Sequence, residues 1–220
     1  MAENSFKNVS TQPKVFFLLP AKTLFLLGGV FSAFFILIAG LVFFDYANLM
    51  DHAIFNLMRS NSSNPILDQT LRRVVFLGYS QFVLPLSLLV GVFLSLYRRN
   101  LALGVWFVLS VVIFEALLES LKHLFLHSVQ WLSHSTNFPS ATALSLTLFY
   151  GLLVLLIPHF IAHKTLQNIL IYGLFGLIFL ISLSLIVLGV SFSSVLGGFC
   201  LGALGACFSI GIYLSVFQKI

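Results

Sequence analysis

Long apolar runs separated by short polar stretches make up most of the chain, and the lengths of those runs decide its class. A helix needs about 20 mostly apolar residues to cross a bilayer, and six windows meet or approach that: 24–44, 74–97, 101–121, 141–158, 167–190 and 193–217. The pattern predicts an all-α polytopic membrane bundle of six transmembrane helices. Residues 24–217 form its single domain, after a polar segment 1–23. The largest polar insert, 45–73, carries Asp45, Asp51, His52, Arg59, Asp68, Arg72 and Arg73, and contains the turn cluster Asn61-Ser-Ser-Asn-Pro65. Within it, Ala47–Met58 has enough apolar residues for a short helix lying at the membrane interface. The first apolar run starts too late and runs too long for a cleaved signal peptide, and is expected to be a retained span.

Composition points the same way. Of the 220 residues 60% are apolar and 8% charged, too little polar surface to cover a water-soluble domain. Cys200 and Cys207 are seven residues apart in one apolar run, about 10 Å of helical rise and beyond disulfide reach, so packing is their expected role. Gly198-x-x-x-Gly202, with Gly197, Gly205 and Gly211, places small residues along the last span. That is a close-packing pattern, for another helix of the same chain or for a homodimer.

Lys and Arg collect in cytoplasmic loops. With a cytoplasmic N-terminus that side holds Lys7, Lys14, Lys22, Arg98, Arg99, Lys164 and Lys219, against Arg59, Arg72, Arg73 and Lys122 outside. Seven against four predicts both termini inside, and fits a bacterial inner membrane. The net charge of +5 is then a topology signal, and no basic run with interleaved aromatics points to nucleic acid.

Polar residues inside the spans are costly and usually face a bundle interior or a cavity. Glu115, Glu119, His123 and His127 recur every fourth residue along one face of the third span, with Lys122 beside them. Three readings stay open. The charges neutralise one another inside the bundle; or Lys122, His127, His134, Ser140 and Thr142 line an outward pocket for an anionic head group; or the histidines contribute to a metal site. His123-x-x-x-His127 and His159-x-x-x-His163 have helical ligand spacing, but the fourth span separates the pairs, so no shared metal site is predicted. His159 and His163, beside Lys164, are expected to be interfacial residues.

Six spans with a polar first outer loop, Lys122 ending the third span, and Phe138-Pro139-Ser140 opening the fourth form a recognisable order. Leu77-Gly-Tyr-Ser80, Leu188-Gly-Val190 and Val195-Leu-Gly-Gly198 complete it. This order, over about residues 24–217, resembles the type 2 phosphatidic acid phosphatase family. The resemblance implies a fold that removes phosphate from lipids with no metal or cofactor, through three motifs. These are Lys followed seven residues later by Arg-Pro, then Pro-Ser-Gly-His, then Ser-Arg followed by a His and an Asp. In such a site the cations and loop donors hold the phosphate and the third-motif His attacks phosphorus, oriented by the Asp. The second-motif His protonates the leaving oxygen.

Matched residue by residue, little of that machinery remains. Lys122 stands at the first-motif Lys, but Arg-Pro is Val129 and Gln130. Pro139 and Ser140 match the second motif, while Gly is Ala141 and the acid His is Thr142. Ser184 matches the third motif, but Arg is Leu185, the nucleophilic His is Ser191 and the Asp is Val195, with Ser194 its nearest polar neighbour. No His or carboxylate lies near Ser191 in sequence to activate it. Nucleophile, orienting acid, general acid and two cations are replaced, each worth powers of ten in rate, so hydrolysis is expected to fail.

The sequence therefore predicts a catalytically degenerate lipid-phosphatase-like membrane protein. It would bind or present a phosphorylated membrane lipid, or assist a partner membrane enzyme. Two alternatives remain. One is an active lipid phosphate or isoprenyl pyrophosphate phosphatase, or phosphotransferase, using Ser191 or a histidine of the 123–134 segment. The other is a transporter-like module, motivated by the charges of the third span.

Overall fold

The computed structural model describes residues 19–59, 65–128, 138–161 and 163–217. These form eight helices: α1 (Ala21–Phe43), α2 (Ala47–Arg59), α3 (Pro65–Phe76), α4 (Ser80–Arg98), α5 (Leu101–Ser128), α6 (Ala141–Phe160), α7 (Lys164–Val187) and α8 (Phe192–Phe217). Six stretches are long and apolar enough to cross a membrane: α1, α3 with α4 as one unit, and α5 to α8 singly. The chain is an all-α integral membrane protein, as the hydrophobic pattern predicts.

α6 and α8 are the buried centre. Ala143, Leu144, Leu146 and Leu152 of α6 are fully enclosed, whereas much of α1 and α4 faces outward. The α8 glycines explain why these two helices lie so close. A Cβ added at Gly198 would stand 2.5 Å from the Ser140 carbonyl oxygen, and one at Gly202 2.7 Å from that of Leu144. Only a residue without a side chain admits backbone that near. The partner of the glycine stripe is thus a helix of the same chain. α1 seats on the far side of α8, where Phe25 meets Phe208 edge-on at 5.6 Å. The Trp106 indole N–H of α5 donates to the Ser209 carbonyl of α8 at 2.8 Å.

The insert 45–73 departs from expectation in one respect. The short helix predicted over 47–58 is α2, but residues 65–73 are helical too: α3 starts at Pro65 and runs into the second span. Its signals are local. Pro suits the first helical position, Asp68 sits in the first turn and Arg73 in the last, the charge order that suits a helix dipole. The second span, predicted as one stretch 74–97, breaks at Leu77–Tyr79 into three-residue turns, with Gly78 N–H reaching the Val75 carbonyl at 2.9 Å. At this break a Cβ on Gly78 would meet the Thr142 methyl at 3.0 Å.

α7 ends three residues earlier than predicted. Gly189, at φ 97°, takes the left-handed conformation, its N–H bonding the Ile186 carbonyl while the Val190 N–H bonds that of Leu185, both at 3.0 Å. This is a Schellman closure, and it turns the chain into α8 within a few residues.

Candidate functional site

The Phe-Pro-Ser segment is clamped before it enters α6. The buried Phe138 ring stacks on Phe35 at 6.0 Å and lies where a Cβ on Gly197 would be; the Phe138–Pro139 peptide is cis. Ser140 is the N-cap of α6, its Oγ accepting from the Ala143 N–H at 3.4 Å. Its own N–H donates to the Ser194 carbonyl at 3.0 Å. That bond ties the start of α6 to the first turn of α8, which joins the second-motif and third-motif regions in space.

Ser191 precedes α8, and its carbonyl accepts from the Val195 N–H at 3.1 Å. Ser193 and Ser194 in the next turn are buried. A residue that sequence reasoning did not assign to the site enters here. Asp51 of α2 accepts the Ser193 N–H at 2.9 Å on one carboxylate oxygen and the Ser193 Oγ–H at 2.5 Å on the other. The exposed amides and dipole of a helix N-terminus favour an anion, and the protein supplies one from its own chain.

Helix α2 is held there by its apolar face. Ile54 and Met58 pack on the core, and Phe55 faces Gly189. Between α2 and the α7–α8 turn lies a cavity of about 240 Å³ whose polar wall is Asn48, Asp51, His52 and Ser191. His52 and Asp51 are therefore neighbours of Ser191 in space. The absence of a base or carboxylate near Ser191 in the linear chain does not carry over to the fold.

A second polar cluster joins α4, α5 and α6. Glu115 accepts hydrogen bonds from Ser80 Oγ at 3.1 Å and from Ser145 Oγ, and the two hydroxyls are 3.2 Å apart. One reading of the sequence pairs the charges of this span with one another; the direct partners of Glu115 are instead hydroxyls on neighbouring helices. Geometry gives the reason, because Lys122 is two turns along α5, about 10 Å of rise.

Of the residues singled out in sequence, Ser140, Ser191 and Ser194 come together at one end of the bundle. Thr142 is half-buried and faces the α3–α4 break. Lys122 is half-buried on α5 at the same end, and no described contact ties it to the three serines. The His127 side chain and all of His134 lie outside the described residues, as do Val129 and Gln130. Among the described residues, no three His, Cys, Asp or Glu side chains gather to hold a metal ion.

No family model matches the chain, and no curated protein matches it in sequence. In structure it is similar to a transmembrane PAP2-type (type 2 phosphatidic acid phosphatase) phosphatidylglycerolphosphate phosphatase from Bacillus subtilis, seen in a crystal structure. The TM-score is 0.73 at 23% identity, covering 86% of this chain and 96% of that one. The likeness establishes a shared fold.

Proposed function

We propose that this PAP2-fold membrane protein does not hydrolyse phosphate esters and instead holds an anionic membrane lipid by its head group. The observation that carries the proposal is the Asp51 carboxylate on the first turn of α8. It occupies the anion-favouring end of the helix beside Ser191, so a phosphoryl group bound there for attack would meet a fixed negative charge. The residues aligned with the family's nucleophile and general acid, Ser191 and Thr142, belong to different contacts, which supports the same reading.

The head group is held from the rim at this end of the bundle by Lys122, with Arg72 and Arg73 exposed on α3; His127 and His134 are candidates from the sequence alone. Both termini are cytoplasmic and the site faces outward across a bacterial inner membrane, on the distribution of Lys and Arg. A partner enzyme that receives the lipid fits a protein that holds but does not cleave.

A second reading has one observation in its favour. Ser191, His52 and Asp51 line one cavity, the residue types of a hydroxyl nucleophile, a base and an orienting acid. Purified protein is assayed for phosphate release from phosphatidic acid, phosphatidylglycerolphosphate and an isoprenyl pyrophosphate, with binding of the labelled lipids measured in parallel. Saturable binding without release, weakened by Lys122→Ala, supports the proposal. Release lost in both Ser191→Ala and His52→Ala supports the second reading.

A further inference from the structure

Two cavities meet at the α7–α8 turn. The polar one lies under α2. The other, of about 440 Å³, runs between α7 and α8 and is walled by apolar side chains, among them Phe179, Leu183 and Leu196. Ile186 and Phe192 line both. Helices joined by so tight a turn ordinarily pack along their length, but α7 leans on α6 and α3 more than on α8. The groove that results lies within two membrane-spanning helices, and Phe175 and Phe179 on its α7 lip are exposed. From Phe175 to Ile186 it follows roughly 16 Å of helix, a length suited to an acyl chain.

A polar feature at the end of the groove qualifies what fills it. In the polar cavity Asp51 uses one lone pair of each oxygen on Ser193 and keeps others for further donors. A terminal phosphate would be repelled there, whereas a hydroxyl or an ammonium would be held.

We infer that the α7–α8 groove and the α2 cavity are one phospholipid seat. An acyl chain lies along α7 and α8, and a head group ending in hydroxyl or ammonium donors meets Asp51. This deepens the lipid-holding reading above by naming the ligand class as a phosphodiester lipid with donor groups, in place of a phosphomonoester; the anionic centre of the head group is then the phosphodiester itself.

The test uses the full chain in nanodiscs containing phosphatidylglycerol, phosphatidylethanolamine or phosphatidic acid, each with a photoreactive diazirine on one acyl chain. Adducts are mapped by peptide mass spectrometry. They are expected on Phe179, Leu183 and Leu196 well above Leu37 of α1 and Leu89 of α4, which are themselves exposed. Phosphatidylglycerol or phosphatidylethanolamine is expected to label about tenfold above phosphatidic acid, the scale of one charge-assisted hydrogen bond, and Asp51→Asn to shrink that ratio. Which of the two lipids leads tells hydroxyl from ammonium. Leu196→Trp, which fills the groove, is expected to remove the adducts while thermal unfolding shows the protein folded.

Adducts spread evenly over the lipid-facing helices would show annular lipid only and overturn the seat; labelling by phosphatidic acid equal to the others would overturn the head-group assignment. Phosphate release in the assay above would end the non-hydrolytic reading and leave the groove adducts unchanged, so the two failures are distinguishable.

Discussion

Asp51 and Ser193, 142 residues apart in the chain, are joined by two hydrogen bonds, at 2.9 Å to the backbone N–H and 2.5 Å to the hydroxyl. Through them helix α2 caps the transmembrane helix α8, and one carboxylate both closes a helix end and sets the charge of the cavity beside it.

Replacing Asp51 by Ala removes both acceptors and leaves the first turn of α8 without its anion. The expected cost is about 1–3 kcal/mol, seen as a lower thermal midpoint of the detergent-solubilised protein. Asp51→Asn keeps acceptor capacity and is expected to lose less.

Gly202→Ala forces a methyl to within 2.7 Å of the Leu144 carbonyl oxygen at the α6–α8 contact. The helices must separate, at about 1–3 kcal/mol. Gly29→Ala and Gly173→Ala meet open space and are expected to leave the midpoint unchanged. A shared response of all three variants would show that the stripe is not what sets the helix distance.

Glu115→Ala deprives Ser80 and Ser145 of their common acceptor. Ser145 retains the Ala141 carbonyl at 2.9 Å, so the expected loss is about 1 kcal/mol, in keeping with hydrogen bonds between membrane helices. Glu115→Gln keeps an acceptor and is expected to fall between Ala and wild type. Comparing the three midpoints checks it.

Gly189→Ala places a side chain at φ 97°, a conformation that suits glycine. A destabilisation of about 1 kcal/mol or more is expected. Its readout includes loss of the α2 contact, because Phe55 packs over this turn.

Most of the scaffold was legible in sequence because span length and apolar periodicity are local properties. The six crossings and α2 follow from them directly. α3 was hidden because Asp68, Arg72 and Arg73 made 45–73 look like one polar insert, and the Pro65 start with its charge order was the signal that separates a helix from a loop. The meeting of Ser140 with Ser194 was readable only through the resemblance.

The contribution of Asp51 and His52 was not legible, since it depends on α2 folding back across the α7–α8 turn, and nothing near Ser191 in the chain announces a partner from the first loop. The same holds for Glu115. Its spacing from Lys122 suggested a charge pair along one helix, while the hydroxyls that bind it belong to two other helices.

The most direct measurement is phosphate release from phosphatidylglycerolphosphate and phosphatidic acid by the purified, folded protein. The expected result is no release above the protein-free background, for wild type and for Ser191→Ala alike, with labelled lipid still bound. Release by wild type that disappears in Ser191→Ala would contradict the proposal.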